Sequence, residues 1–556
     1  MQKTAGLIRS MNDRSDIPRA GPSGAVCGDR GAMALSELRE AVEPNGVLMN
    51  RDVRRGPNGK GLRILIVTPE IASLPDGLSG AAPRIVAKGG GLADVTASLA
   101  EGLEQRGMEV HVALPHYRRL FGVESQSFEV EGWKNYKRKS ALSRIHLAED
   151  RSFYYRDQVY SYQSQDNPDV ALAFQREVIN NILLKVDPDI VHCHDWWTGL
   201  VPAAAKRLGI PCVFTLHNIH SELIPLAHIE HCGIDAAEFW QSLFFESYPD
   251  SYEASRDHNR VDLLASAILA SDQVNTVSPT FLGEVIQGRC NELPMSIRDH
   301  LASMRDVGTA QGILNAPHSS YDPSSDGALV RTFDSKTAEE GKRANKVAFQ
   351  ELTGLSVNPA APLFFWPSRL DPVQKGCQLL TEILEQLVNS HADEGLQIAF
   401  VADGSYQRHF HDIVNLHSLH ERVVVCNFDE NLSRLGYAAS DFTLMPSLFE
   451  PCGLAQMIAM LYGSLPIVHC TGGLKDSVSH LAPEGGAGNG FVFETFDAGG
   501  FGWAIEQALG YFGRDSEWRA GEVARIMDAS RKSFGSDRMI DDYLGIYRGI
   551  TTRQGS

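Results

Sequence analysis

Residues 62–68 read Leu-Arg-Ile-Leu-Ile-Val-Thr, and further on residues 88–95 read Lys-Gly-Gly-Gly-Leu-Ala-Asp-Val. The first stretch is rich in β-formers. The second opens a segment of helical length that reaches residue 106, and another apolar run follows at 110–114. Strand, glycine loop, helix and strand in that order make a βαβ unit, which predicts a parallel sheet.

The same rhythm continues outward. Short apolar runs at 189–192, 212–216 and 273–277 are separated by helix-length stretches, so one α/β domain is expected over residues 61–330. Residues 317–335, from Pro-His-Ser-Ser-Tyr-Asp onward, are polar and turn-rich and predict a linker. Beyond them the pattern restarts at 363–366, 397–401, 423–427, 442–445 and 465–468, which predicts a second doubly wound domain over 331–530. Two such sheets facing each other bring their carboxyl ends around one cleft, where α/β folds bind ligands.

Composition fits this division. A chain of 556 residues exceeds what one hydrophobic core organises. With 43% hydrophobic and 22% charged residues, and no run of about 18 apolar residues, it does not read as a membrane protein. A formal charge of −18 argues against nucleic acid as a partner and suits a neutral polysaccharide. The nine cysteines are scattered without a CxxC pair, and Cys212 and Cys426 lie in apolar runs, as reduced core residues of a cytoplasmic protein do. Residues 1–60 lack apolar periodicity and a secretory apolar segment; a mostly disordered tail is expected, with a transit peptide as the weaker reading because Asp13, Asp16, Asp29, Glu37 and Glu40 make the stretch more acidic than such peptides usually are.

Four constellations carry chemistry. In Lys88-Gly89-Gly90-Gly91-Leu92-Ala93-Asp94, glycine lets a ligand approach the backbone and the helix start offers N–H groups to an anion. Tight turns also use glycine for geometry alone. In His192-Cys193-His194-Asp195, strand alternation puts both histidines on one face roughly 7 Å apart. That invites a metal, but no further ligands stand at a fitting spacing, and a histidine at a strand end also bonds a sugar hydroxyl. His217-Asn218 has the same placement, and either caps its loop or touches substrate. Arg369 and Lys375, in Ser-Arg-Leu-Asp-Pro-Val-Gln-Lys-Gly, form a pair that can hold a diphosphate or simply be solvated. Glu450, in Phe-Glu-Pro-Cys-Gly-Leu, and the later Thr471-Gly472-Gly473-Leu474 combine a strand-end carboxylate with a helix opening.

Taken in order, KGGGLADV, DIVHCHDWWTGL, TLHN, ASDQVNTVSPTF, GILN, SRLDPVQKG, LMPSLFEPCGL and YGSLPIVHCTGGLKDSV resemble the successive signatures of the glycogen and starch synthases, over residues 63–493. The resemblance implies the GT-B architecture of two Rossmann-like domains, no metal and no cofactor beyond the nucleotide sugar. It further implies a hexosyltransferase that retains the α configuration while moving glucose from ADP-glucose to the non-reducing end of glycogen or a maltooligosaccharide. By the same resemblance Lys88, Gly90 and Gly91 serve the donor phosphates, Asp94 the sugar or acceptor, and His194 the transferred glucose. Arg369 and Lys375 neutralise the diphosphate. Glu450 and the backbone of Cys452, Gly453 and Leu454 hold glucose and phosphate, with Thr471 and Gly472 nearby, and Phe428 faces the base. A terminal helix over 531–556, with Phe534, Met539, Ile540, Tyr543, Leu544 and Tyr547 at helical spacing, is expected to cross back to the first domain.

Departures from the family pattern are also legible. About ten extra residues lie near 73–83, and one residue is added between Arg369 and Lys375. Ile219-His220-Ser221-Glu222 replaces an aromatic-Gln-Gly turn, Asn315-Ala316-Pro317-His318 replaces Asn-Gly-Ile-Asp, and Asp262 stands for Asn. Ser266-Ala267 lies near a usual Lys-Ala-Gly, Leu448 replaces Arg, and Ala455 replaces Thr. Most fall on the acceptor and sugar side. Two other readings therefore compete: a GT-B transferase with another donor base or acceptor, and a glucan-binding regulatory protein that has lost transfer.

Overall fold

The computed structural model describes residues 61–73, 86–121, 144–160, 167–289 and 293–554. The tail expected over residues 1–60, and the extra residues 74–83, lie outside the described residues.

The first lobe contains β1 (Arg63–Val67), α1 (Gly91–Gln105), β2 (Glu109–Pro115), β3 (Ile145–Ala148), β4 (Ile190–His194), β5 (Cys212–Leu216), β6 (Leu223–Pro225), β7 (Phe244–Phe245), β8 (Arg260–Asp262), β9 (Gln273–Thr276), α2 (Pro279–Ile286) and β10 (Ala310–Gly312). Seven of these strands form a parallel sheet in the order β10-β9-β5-β4-β1-β2-β3. Its central strands are buried along almost their whole length, as parallel strands covered on both faces are, so they read as largely apolar runs broken only by Arg63, the two β4 histidines and Thr215. A small antiparallel sheet, β6-β8-β7, sits beside it.

The second lobe contains α3 (Ala338–Thr353), β11 (Leu363–Trp366), β12 (Gln397–Val401), β13 (Val423–Cys426), α4 (Glu430–Ala439), β14 (Phe442–Met445), α5 (Ala455–Leu461), β15 (Leu465–His469), α6 (Gly472–Ser477) and β16 (Phe491–Phe493). Its parallel sheet runs β13-β12-β11-β14-β15-β16. In both sheets the first strand in sequence is central, with two strands added on one side before the chain crosses to the other. This is the doubly wound order, and it creates a switch point between β1 and β4 and another between β11 and β14.

The polar stretch at 317–335 joins the lobes in sequence, but it packs firmly on the second lobe. Arg434 of α4 lies 4.0 Å over the Tyr321 ring and pairs with Asp326 at 3.1 Å, and Asp326 also accepts the Tyr462 hydroxyl. The last helix, α7 (Ser536–Gln554), returns to the first lobe. There Arg106 pairs with Asp537 and Asp541, and two tyrosines of α7 reach under the sheet: Tyr547 bonds His192 Nδ1 at 2.8 Å, and Tyr543 accepts from Asn275 at 3.1 Å.

Within the second lobe a buried lysine ties α3 to the loops that follow α4 and α5. Lys342 Nζ donates to the carbonyls of Ala438, Ser440 and Tyr462 at 3.2, 2.7 and 3.0 Å, while burial pulls its ammonium down to about 7. Replacing it by Met strands three buried carbonyls. Lys342→Met is predicted to lower unfolding free energy by about 2–4 kcal/mol in urea denaturation, with little change in slope.

Candidate functional site

Each constellation read from the sequence stands at the carboxyl end of a strand beside a switch point. The glycine loop follows β1, His194 ends β4, Arg369 and Lys375 follow β11, and Glu450 follows β14. The topology therefore concentrates them where open α/β sheets form a crevice.

The lobes meet there. Leu454 Cδ1 stands 3.4 Å from where a Cβ on Gly91 would be, so the glycine loop of one lobe lies against the Phe-Glu-Pro-Cys-Gly-Leu loop of the other. Lys88 Nζ pairs with Asp94 at 3.1 Å and approaches Glu430, at the start of α4, to 3.9 Å. Burial works against the Lys88 ammonium, but Asp94, Tyr321 and Glu430 together hold its pKa above the usual value.

On the second lobe Lys375 and Glu450 form an ion pair at 2.5 Å, with Ser447 donating to the same carboxylate oxygen at 3.1 Å. Their side chains are only 12% and 10% exposed, so each charge depends on the other for its partner. The residue added before Lys375 is absorbed in a turn: Asp371 accepts from the Val373 and Gln374 N–H groups at 2.8 and 3.3 Å. Gln374 O then takes the Leu448 N–H at 2.8 Å, which ties this loop to the one bearing Glu450. Arg369 is exposed on the same loop.

Cys452 is buried, its thiol pushed up to about 12, so its backbone rather than its sulfur is the usable part. Gly453 adopts φ +70, and the Gln456 amide holds this turn by donating to the carbonyls of Cys452 and Gly453 at 3.1 and 2.8 Å. Phe428, past the end of β13, is 51% exposed, with its N–H held by Asp403 at 3.0 Å.

The histidines divide their work. Their rings on β4 stand 4.3 Å apart by centroid, closer than the roughly 7 Å expected from alternation. His192 belongs to the core: its nitrogens meet Tyr547 at 2.8 Å and Thr215 at 2.6 Å. His194 Nδ1 bonds His217 Nε2 at 3.0 Å, and its Nε2 has no protein partner among the described residues. A buried nitrogen left this way is unusual outside functional sites. The His217-Asn218 loop is capped by Asp195, which accepts the backbone N–H groups of both and the Asn218 amide. These bonds hold Asp195 itself at φ 56, a strained value for a residue with a side chain. Asn218 thus serves the loop cap, one of the two readings its position allowed.

Three features had no signal in the sequence reading. Glu70, beyond β1, accepts the N–H groups of Gly89 and Gly90. The Gly90 N–H, expected to serve the donor, is therefore already engaged. Glu284 of α2 crosses between lobes to accept from Gly472 N–H at 3.1 Å and the Thr471 hydroxyl at 3.3 Å, so those two residues bind the first lobe. Asp476 returns the contact by accepting the N–H and hydroxyl of Thr280 at 2.9 and 2.6 Å.

Burial holds the imidazoles of His192 and His217 down to about 3 and that of His194 well below its ordinary value. All three remain neutral where a solvated imidazole titrates. Their ring C–H resonances, assigned by single substitution, are predicted to stay constant from about pH 8 to about pH 5, while exposed histidines shift.

Comparison with known proteins bears on this site directly. Residues 63–296 match the family model of the starch synthase catalytic domain, and 361–510 match that of the group 1 glycosyl transferases. The chain is 34% identical over 497 residues to a glycogen synthase of Exiguobacterium sibiricum, covering 83% of this chain and 96% of that protein. It is also 34% identical over 495 residues to glycogen synthase 2 of Geobacter metallireducens, covering 82% and 93%. Among solved structures it resembles the catalytic domain of starch synthase IV from Arabidopsis thaliana bound to ADP and acarbose, with TM-score 0.70 and 28% identity, over 89% of this chain and 100% of that one. A sucrose-phosphate synthase of Thermosynechococcus elongatus, at TM-score 0.52 and 16% identity over 88% of this chain and all of that one, shares the fold alone. With its doubly wound lobes and its switch-point residues in this arrangement, the chain belongs to the glycogen and starch synthase family and has the GT-B fold.

Proposed function

We propose that the protein transfers glucose from ADP-glucose to the non-reducing end of an α-1,4-glucan with retention of configuration. The observation that supports this reading is the glycine loop of one lobe lying against the Leu454 loop of the other, which also bears the Lys375–Glu450 pair, with a buried His194 at the end of β4 that keeps one nitrogen without a protein partner among the described residues. ADP occupies the related starch synthase structure, and glycogen synthases are its curated relatives over most of the chain.

The donor diphosphate lies along the loop of Arg369 and Lys375 and meets the first turn of α1. Arg369, on its exposed loop, offers a planar fork, whereas Lys375 supplies a point charge oriented by Glu450. Together they stabilise the charge that accumulates as the glycosidic bond breaks. His194 Nε2 takes a glucose hydroxyl, and the neutral ring acts as a hydrogen-bond partner without adding charge. No carboxylate is assigned as a nucleophile. The acceptor hydroxyl attacks from the face the diphosphate leaves, and the departing phosphate oxygen takes its proton. Positioning and leaving-group electrostatics supply the rate. Phe428 offers its exposed face to the base, and a stacked ring accepts any base.

Arg369→Ala and Lys375→Ala are each expected to lower kcat by about 10²–10³. Near-normal turnover in both variants would reject their roles. Incubating the full chain with ADP-glucose or UDP-glucose, with and without glycogen primer, tests the reaction itself. Primer-dependent incorporation from ADP-glucose is expected, and glycogen binding without any transfer would sink the proposal in favour of a regulatory protein.

A further inference from the structure

Glu70 is anchored from every side before its carboxylate does anything. Its carbonyl accepts the hydroxyls of Thr68 and Thr96 at 2.8 and 3.0 Å. The next residue, Ile71, forms a two-bond bridge with Ala87 at 2.9 Å each way, and Ala72 N–H reaches Ala93 O at 3.0 Å. The stem of the glycine loop is thereby clamped to the end of β1. From this base the side chain, buried to 1% exposure, points beneath the loop. One oxygen accepts both Gly89 N–H and Gly90 N–H, the latter at 2.7 Å, and the other accepts the Tyr160 hydroxyl at 3.1 Å. Gly89 has to be glycine here: a Cβ would stand 2.7 Å from the Tyr160 ring and 3.0 Å from the carboxylate.

An anion at the start of a 15-residue helix is stabilised by the free N–H groups and the helix dipole. In this chain the anion is internal. A second anion cannot share those two N–H groups without facing Glu70. Because the Gly89 and Gly90 N–H groups turn inward, the helix-start N–H groups left for a donor begin at Gly91, the residue whose α-carbon lies against Leu454 of the other lobe.

We infer that Glu70 is a positioning residue for the donor: it fills the inner half of the glycine nest, and so orients the outer half toward the diphosphate. This rests on the transfer reaction proposed above. It adds that donor recognition depends on a carboxylate the donor never touches.

Two variants separate positioning from folding. Glu70→Gln keeps the shape, with its amide oxygen able to accept both glycine N–H groups and its amide N–H able to reach the Tyr160 oxygen. Glu70→Ala removes all three contacts. Hydrogen exchange on the ligand-free full chain is expected to speed up at residues 89–92 in Glu70→Ala and stay close to wild type in Glu70→Gln. Calorimetric ADP affinity should weaken about tenfold or more in Glu70→Ala, and recover to within about threefold in Glu70→Gln. In transfer assays the loss should appear in the donor KM, with the primer KM within about twofold of wild type. The inference is overturned by unchanged loop exchange and ADP affinity in Glu70→Ala, or by a uniform fall in kcat and melting temperature with both KM values preserved. Exchange and ADP binding need no turnover, so absence of glucosyl transfer in the wild type would reject the reaction while these two measurements still judge Glu70.

Discussion

The site exists because the lobes are held with their switch points opposed, and two reciprocal carboxylate contacts hold them. Glu284 reaches from α2 onto the backbone of α6, and Asp476 reaches from α6 onto the first turn of α2. Each carboxylate satisfies an N–H group that a helix leaves without a partner, so the interface adds the open ends of two helices to an apolar cluster that is continuous between the lobes. Such contacts are directional. They set the angle at which Gly91 meets Leu454 and Lys88 approaches Glu430.

Desolvation organises the rest. Around the crevice the protein buries groups that would ionise in water and satisfies them internally. Burial raises Glu70 and Asp195 to about 7, with backbone N–H bonds pulling both the other way, while the three histidines are driven toward their neutral forms. A histidine cluster kept neutral does not repel the cations that a diphosphate needs. Lys88 and Lys375 bring positive charge on the surrounding loops, each oriented by an opposing carboxylate, Asp94 and Glu450.

Sequence legibility follows the same physics. Strands β11, β12 and β14 appear in the sequence with the bounds they have in the fold, because a parallel strand covered on both faces is a mostly apolar run, here interrupted only by Gln397 and Thr443. β3 and β10 escape notice because polar residues or a glycine break their short runs (Ile-His-Leu-Ala and Ala-Gln-Gly), and β6, β7, β8 and β16 have only two or three residues each. Motif residues are legible because they cluster in sequence. Glu70 and Glu284 are not, since Glu70 acts 19 residues away and Glu284 acts 188 residues away on Gly472, and Asp476, although inside a quoted motif, acts 196 residues away on Thr280. A lone carboxylate carries no sign of its partner until the fold supplies one. Likewise, alternation along β4 correctly placed His192 and His194 on one face, but only the packing of α7 shows that the first is spent on Tyr547.

The departures from the family pattern look different once their contacts are known. Ser221 and Asp262, both unusual for the family, hydrogen-bond to each other at 2.5 Å; Ser221 also takes the Leu264 N–H, and Asp262 caps the following helix through Ala265 N–H. Ser266 accepts the Phe244 N–H, which fixes β7 against that helix. Random loss at these positions would leave buried donors and acceptors unmatched, a cost of about 1–3 kcal/mol each. Instead the replacements satisfy one another across the small antiparallel sheet. That pattern is what a rebuilt surface produces, since changed residues must fit each other before they can fit a new ligand. Ser221, Asp262 and Ser266 are thus joined, through the small antiparallel sheet and the helix that follows β8, into one hydrogen-bonded group.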